Sequence, residues 1–232
     1  MNGVQLIAAA RAQGRSALDE LAGKQLLASF NVAVPKSVVV KNAGAAAEAI
    51  ARLKPPFAVK VMSAGILHKS DAGGVKIGLH NAADVEQAIT AMAALPAIKS
   101  ARIDGYLIEE MAPAGQEVVV GAVRDPDFGP MVMVGLGGIF VEVLADVAFR
   151  ICPITRLDAA EMLEELKGAA ILKGARGRKA VAQEAIIDVL LKIGGEDGLL
   201  MRHADDFKEA DINPLIVSAT GAVAVDARFI LT

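Results

Sequence analysis

The sequence predicts an α+β protein of two lobes, and three observations lead there. Strand-like and helix-period segments alternate along the 232 residues. A Pro- and Gly-bearing break at Met111 to Gly115 separates two such series. No sustained repeat, low-complexity linker or long charged tail interrupts either one. The expectation is one 1–232 domain with mixed sheets, a smaller lobe over about 20–112 and a larger one over 113–232.

Bulk properties bound the possibilities. Hydrophobic residues make up 54%, with no tryptophan and one tyrosine, so the core is aliphatic. A net charge of -3 excludes a broad basic face for nucleic acid. The single Cys152 rules out an intramolecular disulfide framework and fits a reducing compartment. The N-terminus lacks a basic region ahead of its apolar stretch, unlike a signal peptide. The uncharged stretches 128–141 and 212–225 are shorter than the ~20 residues of a membrane helix, and Gly or Pro breaks both. A soluble, cytoplasmic protein is expected.

In chain order, Ser16 reads as the cap of a helix running to about Ser29, with Leu18, Leu21, Leu26, Leu27 and Phe30 near helical spacing. Asn31 to Pro35 turns, Ser37 to Lys41 is a strand, and Ala43 to Leu53 an alanine-rich helix ended by Pro55 and Pro56. Phe57 to Met62 reads as a strand. A loop with His68, Lys69, Ser70 and Asp71 follows, and after Gly73 and Gly74 a return strand, Val75 to Leu79. Asn81 opens a helix with Val85, Ile89, Met92 and Leu95 on one side. Tyr106 to Met111 and Gln116 to Arg124 are strands.

The second half begins with the apolar strand Pro130 to Val134, ending in Gly135-Leu136-Gly137-Gly138. Ile139 to Leu144 and Val147 to Ile154 are extended or partly helical. Leu157 to Leu166 is a helix capped by Thr155, and Val181 to Ile193 another. Phe207 to Val217 and Ala222 to Ala227 are strands across a Thr220-Gly221 turn.

Several signatures are absent. There is no P-loop, the glycine run at 135–138 lacks the third glycine of a dinucleotide fingerprint, and no Cys/His cluster suits zinc. Lys60, among apolar neighbours on a strand, reads either as a phosphate contact in a cleft or as a solvated edge-strand lysine. Asp211, Asn213 and Asp226 are hard oxygen donors of the kind magnesium takes beside nucleotide phosphates; each alone also reads as a turn residue. Glu109 and Glu110 could meet ribose or adenine edges, or form a solvated pair. His68 is either a surface histidine or a nucleophile active near neutral pH. His80 and His203 read as structural. The glycines at 135–138 suit a phosphate cradle or tight packing, and the Arg176, Arg178, Lys179 loop reads as solvated.

Four motifs in order then carry a family resemblance. Ile66-Leu67-His68-Lys69-Ser70-Asp71 with Gly73-Gly74-Val75 resembles the histidine loop of the nucleotide-binding β subunit of ADP-forming acetyl-CoA and acyl-CoA synthetases. The stretch from Glu117 through Gly121, Arg124, Asp125 and Pro126 to Pro130 matches a second motif, and Gly135 to Glu142 a third. Asp211-Ile212-Asn213-Pro214 with Val225 to Arg228 matches a fourth. The resemblance covers about Leu21 to the C-terminus.

It implies an ATP-grasp fold, with a nucleotide cleft between two α+β lobes. It implies an acid–thiol ligase reaction, acyl-CoA + ADP + phosphate ⇌ acid + CoA + ATP. A CoA-binding α subunit with its own phosphohistidine is the implied partner, in an α2β2 hetero-oligomer. By this resemblance His68 relays a phosphoryl group to ADP, and Lys60 is the ATP-grasp phosphate lysine. Gly73, Gly74, Glu109, Glu110, Glu117 and Arg124 complete the ATP/ADP site, and Asn213 and Asp226, with Asp211 nearby, bind Mg2+. Residues 63 to 72 could extend at most ~33–36 Å, so the tip of a loop held at both ends could travel on the order of half that, enough to leave its own lobe. Two departures stand out: Ala64-Gly65 replaces a common Pro-Asp pair, and Cys152 a usual small residue. A self-sufficient ATP-grasp carboxylate ligase and a non-catalytic nucleotide-binding module remain the alternatives.

Overall fold

The computed structural model describes residues 2–63, 65–66, 69–138, 141, 144–175 and 179–232. The chain forms two compact units, Met1–Val34 with Pro113–Thr232, and Pro35–Ala112. Residues 20–34, expected with the smaller lobe, therefore belong to the larger unit.

The larger unit is an antiparallel sheet backed by helices. Its strands are β1 (Ala17–Leu18), β6 (Gln116–Asp125), β7 (Gly129–Leu136), β8 (Val147–Ile151), β9 (Phe207–Val217), β10 (Ala222–Ala224) and β11 (Arg228–Leu231). They run in the order β1-β11-β9-β6-β7-β8, with β10 paired to β9. Alternation sends Val118, Val120 and Ala122 of β6, and Val132, Val134 and Leu136 of β7, into one core. Helix α1 (Gly3–Ala12) contributes Leu6 and Ile7, α2 (Glu20–Ser29) Leu26 and Leu27, and α5 (Gln183–Gly194) Ile186 and Leu190. Each such side chain gains about 1.5–3 kcal/mol on burial.

The smaller unit carries β2 (Ser37–Val40), β3 (Phe57–Met62), β4 (Val75–Leu79) and β5 (Gly105–Glu110), ordered β2-β5-β3-β4. Helix α3 (Ala82–Ala94) lays Val85, Ile89 and Met92 on Phe57, Val59, Val61 and Ile108.

Four expectations need correction. Every strand pairing among the described residues is antiparallel, so neither sheet is mixed. Asp19, not Ser16, caps α2, accepting the Ala22 N–H at 2.9 Å, because Ala17 and Leu18 pair with β11 instead. The expected helix from Ala43 to Leu53 is broken into short α and 3-10 turns, none with a side-chain cap. Helix α1 was not anticipated; Asn2 and Gln5 form a reciprocal capping box at its start. Thr155 does cap α4 (Arg156–Glu165), with Asp158 returning the bond to the Thr155 N–H at 2.7 Å.

Candidate functional site

In the smaller unit the alternation of β3 decides the placement of Lys60. Phe57, Val59 and Val61 turn toward α3, so Ala58 and Lys60 take the other face. Antiparallel register sets Lys60 opposite Leu107 and Ala58 opposite Glu109, which brings Glu109 onto that same face. The Lys60 ammonium lies 3.0 Å from Glu109 Oε2, with the side chains only 7% and 1% exposed. Glu110 falls on the opposite face, where its Oε1 accepts the Lys54 N–H at 3.0 Å. The two adjacent acids thus have different duties.

His68 lies outside the described residues, as do Ala64 and Leu67. The segments flanking them are anchored. Ser63 Oγ donates to the Arg102 carbonyl at 2.8 Å, and Ile66 is buried in the core of the smaller unit. On the return side, Gly74 N donates to Lys69 O at 2.7 Å and Val61 N to Gly74 O at 2.8 Å. Gly73 takes φ +71°, and a Cβ on Gly74 would stand 2.4 Å from Val61 Cγ1. Both glycines are thus demanded by the turn itself.

In the larger unit Ala210 and Ile212 of β9 face the core, so Asp211 faces away from it, beside Gly121 and Arg228. Between Val118 and Val120 the register shifts, setting Asn213 and Pro214 against Val119 alone. This is a bulge at the proline, which has no N–H to give to the ladder. Val225 N donates to Pro214 O at 3.0 Å, which draws the Asp226 segment alongside. Burial pushes the Asp211 carboxyl above its ordinary range, the negative charges of Asp226 and Glu209 add to that, and Arg228 opposes it. Asp211 and Asp226 are therefore electrostatic neighbours, with exposed Asn213 two residues along the strand. No group of three or more His, Cys, Asp or Glu suited to a metal occurs among the described residues. Two carboxylates and an amide fit magnesium, which takes few protein oxygens and completes its shell with phosphate and water.

Glu117 is exposed on the open face of the same sheet, and its carbonyl accepts the Gly137 N–H at 2.8 Å. A Cβ on Gly137 would meet Glu117 Cβ at 2.7 Å, so the glycine run packs directly on this residue. Arg124, expected with Glu117 at the nucleotide, is not brought to it. Seven residues farther along β6, roughly 23 Å at strand rise, it has the opposite parity and faces the helices. Its guanidinium binds the Ala204 carbonyl and, at 2.6 Å, Asp205.

One feature escaped the sequence reading: Glu20 and Lys24, buried on α2 at 2.8 Å, with Lys24 also donating to the Val225 carbonyl at 3.3 Å. Their i,i+4 spacing within an apolar helix was the available signal. Among the described residues no helix is long and apolar enough to cross a membrane.

The chain matches the ATP-grasp domain model over residues 9–231. It is 44% identical to the β subunit of acetate–CoA ligase [ADP-forming] I of Pyrococcus furiosus, over 98% of this chain and 97% of that one. Among solved structures it superposes with TM-score 0.92 and 36% identity on dinucleotide forming acetyl-coenzyme A synthetase 1 of Ca. Korarchaeum cryptofilum in complex with coenzyme A, Ca-AMPCP and HgCl+, covering 98% of this chain and 99% of that one. A selenomethionine form of that protein with coenzyme A and Mg-AMPPCP, its phosphohistidine segment pointing towards the nucleotide binding site, matches with TM-score 0.85 and 35% identity over 99% and 100% of the two chains. The fold, the histidine-loop sequence and these likenesses agree: the chain belongs to the ATP-grasp family, among the β subunits of ADP-forming acetate–CoA ligases.

Proposed function

We propose that this chain is the nucleotide-binding β subunit of an ADP-forming acyl-CoA synthetase, an acid–thiol ligase that works with a CoA-binding α subunit. The net reaction is acyl-CoA + ADP + phosphate ⇌ acid + CoA + ATP. The observation that carries the reading is the alignment of almost the whole chain with such a β subunit. The complex is taken to be an α2β2 hetero-oligomer in the cytoplasm.

His68 is the relay. A ring nitrogen attacks the phosphorus held on the partner's phosphohistidine; the new N–P bond forms as the old one breaks, and the partner imidazole leaves with the electron pair. A β-phosphate oxygen of ADP then attacks the same phosphorus, forming the O–P bond of ATP and restoring neutral His68. Lys60 offsets phosphate charge, and Glu117 binds the nucleotide. Gly73 and Gly74 let the turn backbone approach it closely. Asn213 and Asp226, with Asp211, would hold Mg2+, which supplies further charge neutralisation on the phosphates.

His68→Ala is the test. In the reconstituted complex it should abolish acyl-CoA-dependent ATP formation while sparing ADP binding; full activity would end the relay assignment. An acid-labile phosphate on His68 after incubation with ATP and Mg2+ would exclude a non-catalytic module. Turnover of ATP by the isolated chain with an acid and an amine acceptor would favour a self-sufficient ligase instead.

A further inference from the structure

Glu109 has a different task from the ribose or adenine contact its sequence position suggests. We propose that Glu109 is the positioning residue for Lys60, holding its ammonium charged and in place for the nucleotide phosphate without binding the nucleotide itself. This rests on the reading of Lys60 as the phosphate contact.

Three observations converge on it. The register of β3 against β5 makes Lys60 and Glu109 diagonal neighbours on one face, a separation that a long side chain spans. Glu109 stands opposite Ala58, whose single methyl leaves room beside the strand for the lysine stem. Both charged groups are withdrawn from water and meet at 3.0 Å.

The physical consequence is direct. An ammonium buried without an opposite charge loses its proton, and a neutral amine offers a phosphate little. A carboxylate alongside favours the charged form and fixes where the cation sits. The ion pair is therefore part of the phosphate site even though one member never touches the nucleotide. Glu110, turned to the other face and bound to the Lys54 backbone, cannot substitute for it.

The test is a double-mutant cycle on the affinity of the full chain, in complex with its α subunit, for ADP and Mg2+. Lys60→Met should weaken binding roughly tenfold or more, the loss expected for a charge-assisted hydrogen bond. Glu109→Gln should weaken it by a similar factor, and the double variant should be no weaker than Lys60→Met alone. A role through Lys60 predicts this non-additivity; general damage to the fold does not. Glu109→Asp, which keeps the charge, should restore part of the affinity and raise KM for ADP less than Glu109→Gln. If Glu109→Gln does not fold, Glu109→Asp takes its place in the cycle. A full loss from the Glu109 variant in the Lys60→Met background overturns the inference, because Glu109 would then act on the nucleotide directly. Unchanged ADP affinity in Lys60→Met overturns the Lys60 reading, and the inference with it.

Discussion

Among the described residues two Glu–Lys pairs are buried, and they serve opposite ends. Glu20 and Lys24 sit one turn apart on α2, 2.8 Å from each other and almost wholly out of water. The lysine also donates to the Val225 carbonyl, next to Asp226. Gly23, beside it, lets the helix press on the Ala227 carbonyl, where a Cβ would stand only 2.7 Å away. This pair is a strut that fixes the backbone beside Asp226. Lys60 and Glu109 come instead from two strands far apart in sequence, on a sheet face opposite the helix. A local pair whose lysine also ties down backbone is structural; a long-range pair at the proposed phosphate site would ready a charge. Desolvating two ions is expensive in either place, so where the cation is held distinguishes the roles better than burial does.

The largest effect expected is on stability at the strut. Glu20→Gln leaves a buried ammonium without its carboxylate and should cost about 3–5 kcal/mol by urea unfolding. Replacing both members with Leu and Met should be neutral or gain ~1–4 kcal/mol, and activity with the α subunit should persist. The same apolar exchange at Lys60 and Glu109 should likewise fold but be inactive. If both double variants retained activity, the distinction between the pairs would collapse.

Next in size is Gly23→Ala. An alanine in a helix interior normally gains about 1 kcal/mol over glycine. Here the backbone oxygen of Ala227 blocks the new methyl, so overpacking should dominate, at about 1–3 kcal/mol lost. A thermal midpoint that rises instead would show that α2 is not pressed against the Asp226 segment.

A smaller effect is expected at Asp211, one of the proposed metal donors. Burial and the neighbouring charges of Asp226 and Glu209 raise the Asp211 carboxyl, so the folded state binds its proton more tightly than the unfolded chain does. Stability from this group therefore falls as pH climbs from the ordinary carboxylate value through the folded one. Asp211→Asn should raise the thermal midpoint without Mg2+ and reduce the extra stabilisation that Mg2+ gives. No gain in the metal-free midpoint would mean that the carboxylates do not strain one another.

The smallest is a control for both pairs. Cys152, buried among apolar residues, has its thiol pushed up to about 11 by desolvation, against an opposing hydrogen bond at Val132. Without a counter-charge it takes the neutral form. Alkylation of the folded protein at pH 8 should be slow and become fast on unfolding, and Cys152→Ala should leave ADP affinity unchanged.

Much of this architecture was readable from residue types. Phe207 to Val217 announces its strand by alternation, and Thr155 announces its helix by the Asp158 that answers it. Ser16 misled because the choice of cap was made elsewhere: Ala17 and Leu18 pair with residues more than two hundred positions away. At the candidate site, the types at Lys60, Asp211 and Asp226 suggest phosphate and magnesium, but the partner of Lys60 depends on cross-strand register, which no local window contains. Arg124 could have been separated from Glu117 by parity alone, since residues seven apart on a strand face opposite ways. Family spacing concealed that count.

The placement of residues 1–34 has a consequence for how the chain is made. The smaller unit is one continuous stretch, so all its strands emerge from the ribosome before most of the larger unit exists. The larger unit is split around it. Ala17 and Leu18 find their partners, Ile230 and Phe229, only after the smaller unit and the strands of the larger sheet between them have been made. The strand pairing that joins residues 17–18 to the larger sheet must therefore wait for the smaller unit to be made, so the smaller unit matures before that sheet closes.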